Sequence, residues 1–170
     1  MNKTGLFYAT GTEKTAAIAN KIKNAFGEDT IDIVPVERAW KKDFEKYDYL
    51  IVGTSTWFDG ELPSYWDEML PELKELDLRG KKVAIFGLGD QVNYPDNFVD
   101  GIGLLAEIFK GVGAELAGFT STAGYYFNSS KAVKNGRFLG LAIDTEIQPE
   151  KTEERIRNWV EELKEQGFGK

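Results

Sequence analysis

The sequence predicts an α/β fold of the doubly wound kind, a parallel sheet with helices on both faces. Three observations predict it. Apolar runs alternate along the chain with amphipathic ones. The apolar runs are nearly continuous in Leu, Ile, Val and Phe, as in strands buried on both sides. Finally, 170 residues of which 42% are hydrophobic furnish one well-buried core and fall short of two comfortable domains. A single domain over residues 1–170 is the expectation, and no repeat, linker or low-complexity segment interrupts the series.

Five strands follow in order: "TGLFYA" from Thr4 to Ala9, "DTIDIVPV" from Asp29 to Val36, "YDYLIVGTST" from Tyr47 to Thr56, "KKVAIFGLG" from Lys81 to Gly89 and "AELAGFTST" from Ala114 to Thr122. Helices lie between them. Ile18, Ile22, Ala25 and Phe26 share a helical spacing, as do Trp66, Met69, Leu70 and Leu73, then Val99, Ile102, Ala106 and Phe109. Ile156, Trp159, Val160 and Leu163 give a closing helix, and Arg38 to Glu45 a short, weak one.

Composition excludes several kinds of chemistry. The net charge of −7 opposes nucleic-acid binding, which needs clustered Lys and Arg facing phosphates. It suits basic partner proteins or simply solubility. With no Cys and no His, the chain supplies no thiol nucleophile, no Ser-His-Asp triad, no cysteine-held iron–sulfur cluster and no ordinary zinc site. Demanding chemistry has to come from something bound. No run approaches bilayer-spanning length and the first residues lack a signal-peptide pattern, so a soluble, cytoplasmic protein without a membrane partner is expected.

In a doubly wound sheet the ligand sits beyond the carboxyl ends of the strands. Three loops leave strands at that edge: Thr10 to Thr15, Thr54 to Glu61 and Gly87 to Asn97. The first, "TGTEKT", offers the hydroxyls of Thr10, Thr12 and Thr15 and backbone N–H groups at a helix start, a place that favours an anion such as a phosphate monoester. A capping box of Thr10 and Glu13 that merely starts the helix is the alternative. A nucleotide-hydrolysing P-loop fits far less well, because its glycines would stand at Tyr8 and Glu13 and only Lys14 and Thr15 agree. The second loop, "TSTWFDGELPSYW", carries Trp57 and Phe58. The third, "GLGDQVNYPDNF", carries Tyr94 and a Gly87-Leu88-Gly89 turn that lets backbone approach a ligand. Two aromatics on two loops can sandwich a flat ring; taken singly, each is better read as packing over the sheet edge, and the pair beside a phosphate loop is what favours a ring.

On these motifs the chain resembles the flavodoxins over essentially its whole length. "GLGDQVNYPDNF" is the most specific, and Thr10-Gly11-Thr12-Glu13-Lys14-Thr15 matches the family's phosphate loop, with Glu13 where a glycine is usual. The stretch "TSTAGYYFNSSKAVKNGRFLGLAID", Thr120 to Asp144, is similar to the insertion that splits the fifth strand in the long-chain branch. The resemblance implies a five-stranded parallel sheet of order 2-1-3-4-5 and non-covalently bound FMN. It further implies that Thr10, Gly11, Thr12, Glu13, Lys14 and Thr15 hold the phosphate, and that Trp57 and Tyr94 stack on opposite faces of the isoalloxazine. Backbone of Thr56, Trp57, Phe58, Asp59 and Gly60 and of Gly87, Leu88, Gly89 and Asp90 bonds the flavin edge, Thr54, Ser55 and Asn97 belong to the same site, and Asp144 lies near the ribityl chain. Asp59 falls at the peptide step next to flavin N5, and Glu13 is expected to point to solvent. No side chain is catalytic and no metal is implied.

The implied function is a low-potential one-electron carrier, and the site's charges agree with it. Asp59, Glu61, Asp90 and Asp96 line the second and third loops, which carry no Lys or Arg. An electron added there meets like charges, each worth about 1–2 kcal/mol at ~10 Å and an effective dielectric near 20. The implied partners are basic redox proteins, such as a flavodoxin/ferredoxin-NADP reductase or a ferredoxin-type oxidoreductase, met by a monomer through an acidic face of Glu61, Asp67, Glu68, Glu72 and Glu75. An NAD(P)H-dependent flavin reductase on the same fold would need a second nucleotide fingerprint, which is absent. A phospho-accepting receiver module would need acids at the strand ends, where Tyr8, Ala9, Thr10 and Gly53 to Thr56 stand instead.

Overall fold

The computed structural model describes residues 3–9, 13–56 and 60–170. Strands β1 (Thr4–Tyr8), β2 (Asp32–Pro35), β3 (Tyr49–Ser55), β4 (Lys82–Leu88) and β5 (Glu115–Ala117) form a parallel sheet in the order β2-β1-β3-β4-β5. Helices α1 (Glu13–Phe26), α2 (Lys41–Glu45), α3 (Ser64–Leu73), α4 (Asp100–Gly111) and α5 (Thr152–Glu165) connect or cover them. The weak helix expected over Arg38 to Glu45 resolves into a 3-10 turn, Val36–Arg38, followed by α2.

Side-chain alternation along the strands builds two cores, one per face. Leu6, Ile51, Ala84 and Phe86 turn toward Ile18, Ile22, Trp159 and Leu163 of α1 and α5. Phe7, Val52, Val83 and Ile85 turn toward Phe44, Trp66 and Phe109 of α2, α3 and α4. Each buried indole has a polar partner: Trp66 donates to Gly53 O at 3.1 Å and Trp159 to Gly118 O at 2.8 Å. The edge strand β2 is half-buried throughout, which explains its mixed sequence.

The fifth strand departs from a simple reading of "AELAGFTST". Only Glu115–Ala117 stays in the main sheet, and Thr120–Ser121 (β6) joins Val133–Lys134 (β7) and Arg137–Phe138 (β8) in a small antiparallel sheet of order β6-β8-β7. The chain then returns as β9 (Leu141–Ile143), which pairs with β4 beyond β5, Gly87 opposite Ala142. The fifth strand is thus split into β5 and β9, as the resemblance implied.

Two tyrosines make the fold sensitive to alkali. Burial and a hydrogen bond to Asp32 at 3.0 Å push the Tyr47 hydroxyl up to about 12. Burial pushes Tyr125 up to about 12 as well; it donates to Ala142 O at 2.6 Å. Unfolded tyrosines ionise near 10, so this contribution to stability is full below pH 10 and lost as pH rises toward about 12. We expect the unfolding free energy, measured in urea, to fall across that window and the Tyr47→Phe/Tyr125→Phe double variant to fall less steeply. Identical slopes would count against the assignment.

Candidate functional site

Parallel pairing of β1, β3 and β4 brings the segments that follow them to one sheet edge. Thr10, Gly11, Thr12, Trp57, Phe58 and Asp59 lie outside the described residues. Of the rest of the first loop, Glu13 and Lys14 are exposed in the first turn of α1 and Thr15 is buried. An acid there suits the positive end of the helix. Lys14 pairs with Glu146 in the turn after β9 and its charge reaches Asp90, so Asp90 faces a cation that the third loop itself lacks.

The third loop presents its tyrosine to solvent. Tyr94 is 59% exposed, and its N–H donates to Asp90 O at 3.0 Å. Asp90 organises the turn beneath it, accepting from Val92 N and Asn93 N at 3.0 and 2.8 Å and from Asn93 Nδ2 at 2.7 Å. Burial pushes the Asp90 carboxyl up, but those hydrogen bonds and the Lys14 charge outweigh it and hold the group below the usual carboxylate range. The N–H of Asp90 has no hydrogen-bond partner among the described residues, whereas that of Gly89 donates to Ile143 O at 3.0 Å.

Several residues expected to line a ligand are instead interior. Gly87 and Leu88 belong to β4 and are paired on both sides, with Thr54 and Ser55 of β3 and with Ala142 and Ile143 of β9. Thr54 is fully buried and its hydroxyl donates to Ser55 O at 2.8 Å. Their side chains support the edge rather than face it. Thr56 is half-buried and accepts the Gly101 N–H at 2.9 Å, capping the start of α4. Asn97 is half-buried with its amide 3.3 Å from Asp100 Oδ2. Asp144 is fully buried, and both its carboxylate oxygens accept hydrogen bonds from within the chain.

The segment after β6 braces the third loop along its length. Asn128 and Ser129 N–H groups donate to Pro95 O at 2.8 and 3.0 Å, Ser129 Oγ donates to Asp96 O at 2.6 Å, and Asn128 Nδ2 donates to Asp96 Oδ1 at 2.9 Å. The Phe98 ring packs on Tyr125, Phe127 and Phe138 at centroid distances of 5.2–6.0 Å. Asp100, 1% exposed, accepts Lys131 N–H at 2.8 Å. A Cβ on Gly60 would lie 2.5 Å from Asp100 Oδ2, so glycine there lets the second loop close on the third. Val99 is held at φ 47°, a left-handed conformation costly for a β-branched residue. Burial of its neighbours Phe98 and Asp100 fixes it.

Acids run along α3 and the residues that flank it. Glu61, Asp67, Glu68, Glu72 and Glu75 are all exposed. A groove of about 640 Å³ opens at Gly60 and Glu61 and runs between α3 and α4 over Leu62, Leu70, Leu104 and Ile108. Among the described residues no helix is long and apolar enough to cross a membrane.

A family model described as flavodoxin matches residues 6–159. The chain belongs to the flavodoxin family. Flavodoxin of Synechocystis is 50% identical over 165 residues, 96% of this chain and 97% of that one. Flavodoxin 1 of Escherichia coli K12 is 41% identical over 164 residues, 96% and 93% of the two chains. A crystal structure of Fusobacterium nucleatum flavodoxin bound to flavin mononucleotide superposes with a TM-score of 0.93 at 37% identity, covering 99% of both chains. The flavodoxin strand order is the one observed. Three residues that organise this flavodoxin edge escaped sequence reasoning: Gln91, Asp100 and Lys131. Asp100 carried a signal, an acid in the first turn of a helix. Gln91 and Lys131 carried none, since their contacts join segments about 30 or more residues apart.

Proposed function

We propose that this chain binds FMN non-covalently at the carboxyl edge of the sheet and carries single electrons between redox proteins at low potential. The observation that supports this best is Tyr94, a large aromatic ring 59% exposed on a loop that is otherwise tightly braced. Trp40 and Tyr126 are more exposed still, so it is the place of Tyr94, on the loop that leaves β4 at the carboxyl edge of the sheet, that marks it as a ring platform. The donor set fits the cofactor: an N-terminal helix end in α1 for the phosphate, and the unpartnered Asp90 N–H for the flavin edge. In this reading Thr10 to Thr15 hold the phosphate, Trp57 and Tyr94 cover the two ring faces, and Thr56 to Gly60 and Gly89 to Asp90 border the ring. Glu13, exposed at the helix start, leaves the phosphate to the backbone donors.

FMN, when bound, supplies the one-electron chemistry. The protein supplies electrostatics. Asp90, like any ordinary carboxylate, is ionised through the neutral range, its lowered pKa extending this to more acid pH, and negative charge beside the ring disfavours adding an electron. No side chain acts as acid, base or nucleophile, so the protein is a carrier and not an enzyme. Its partners are basic redox proteins of the reductase or oxidoreductase kind, drawn to the exposed acids of α3 and the loop before it. It works as a single-domain, cytoplasmic monomer.

Visible spectra during stepwise anaerobic reduction test this reading. We expect two resolved one-electron steps. Protein that neither carries nor takes up FMN, or that bleaches in one two-electron step, would overturn it.

A further inference from the structure

Asp144 is buried without a cation bonded to it among the described residues. Burying a carboxylate is costly unless its lone pairs are filled, and here four N–H donors fill them. Oδ2 accepts from the backbone N–H and the Nε2 of Gln91, at 3.0 and 2.8 Å. Oδ1 accepts from Glu146 N and Ile147 N, at 3.1 and 2.9 Å. Gln91 is itself 2% exposed, and its Oε1 accepts the Tyr126 N–H at 2.7 Å. Glu146 in turn pairs with Lys14 in the first turn of α1. One connected set of polar contacts therefore runs from the tyrosine-bearing third loop, through a buried carboxylate, to the start of the helix that follows the first loop.

We propose that Asp144 and Gln91 are positioning residues that lock the third loop in register with the start of α1. One ligand can then reach an anion site and a ring site together. The inference rests on the FMN reading above. Only a carboxylate satisfies the geometry, because the amide of an asparagine has one acceptor oxygen and would turn its NH2 toward one of the two donor pairs. Gln91→Glu fails for the opposite reason, setting two carboxylates against each other. Combined, the two changes restore the side-chain bond with its polarity reversed, Asn Nδ2 donating to the new carboxylate, but the backbone N–H of residue 91 still faces that NH2, so the repair is partial.

The test titrates the apoprotein with FMN and with riboflavin, which lacks the phosphate, following flavin fluorescence. We expect Asp144→Asn and Gln91→Glu each to weaken FMN at least tenfold. The ratio of FMN to riboflavin affinity should fall at least fivefold, because phosphate and ring are no longer reached in one pose. The double variant should recover part of the loss, binding FMN about threefold or more tighter than either single variant. Gln91→Met removes both side-chain bonds, to Asp144 and from the Tyr126 N–H, without adding a charge, and leaves the backbone bonds of Gln91, Glu146 and Ile147 to Asp144, so it guards against misfolded single variants. The same fall in the ratio is expected from it. An unchanged ratio in Gln91→Met, or losses that simply add in the double variant, would overturn the inference. Parent apoprotein that binds neither flavin would instead overturn the FMN reading and the inference with it.

Discussion

Gly140→Ala is expected to be among the most damaging single-methyl changes in the chain. Gly140 lies between β8 and β9, and an added Cβ would sit 2.1 Å from Ile85 O and 2.9 Å from Ile85 C. Those atoms belong to the backbone of β4, which is paired on both sides. No rotamer relieves the contact. Either β4 or the return into β9 has to move, and the Thr120 Oγ1 bond to Gly140 O at 2.5 Å is disturbed with it. Overpacking of this kind costs about 3 kcal/mol or more, a fall in melting temperature on the order of 10 °C for a chain of this size. Gly111→Ala is the contrast. It ends α4 with nothing within 4 Å of the added Cβ, so it should be neutral or stabilise by about 0.5–1 kcal/mol. Equilibrium denaturation of both variants checks the pair; a Gly140→Ala loss below about 1 kcal/mol would show that β9 can shift freely against β4.

The second large effect is on ligand affinity. Tyr94→Ala removes the exposed ring that the proposed site offers to a flavin, and stacking of a flat heterocycle on an aromatic side chain is worth about 1–3 kcal/mol by truncation. FMN affinity should therefore fall by roughly 5- to 150-fold, while Tyr94→Phe keeps most of it. Stability of the apoprotein should hardly change, because the side chain is mostly in water and the N–H bond to Asp90 O is backbone. Affinity unchanged in Tyr94→Ala would remove Tyr94 from the ring site and leave the third loop with a purely structural part.

The two predictions probe opposite kinds of information. Strand β4, on whose backbone Gly140 packs, was legible from its apolar run, and the helices of Ile18, Trp66, Ile102 and Trp159 from their spacing; β8 and β9, which flank Gly140 in the chain, were not read as strands. Both signals are local: a residue faces one core or the other according to a period of 2 or 3.6 along its own segment. The observed cores follow that alternation. The position of Tyr94 beyond the carboxyl end of β4 was legible for the same reason, because a parallel sheet puts the loops that leave its strands on one side.

The segment Ala114 to Thr122 shows where local signals stop. It is apolar enough to read as one strand, yet Gly118 turns it away after Ala117, with φ 75° and the Trp159 indole bonded to its carbonyl. The partner of β4 is then completed by β9, more than twenty residues later. Thr54, Gly87 and Leu88 show the same limit at the site. Their sequence places them beside the loops, and only the strand ends, fixed by pairing with β3 and β9, decide that they are interior.

By itself, then, the sequence determined the fold class, the order of elements, the loops that meet at one edge and the acidic character of that edge. Each follows from composition or from a repeat along a single segment. Tertiary structure alone decided which polar residues hold the edge together. Asp144 with Gln91, Asp100 with Lys131 and Lys14 with Glu146 are pairs between segments far apart in the chain. Hydrogen bonds and charges of this kind act over a few ångströms in space, and no spacing in the sequence records that distance.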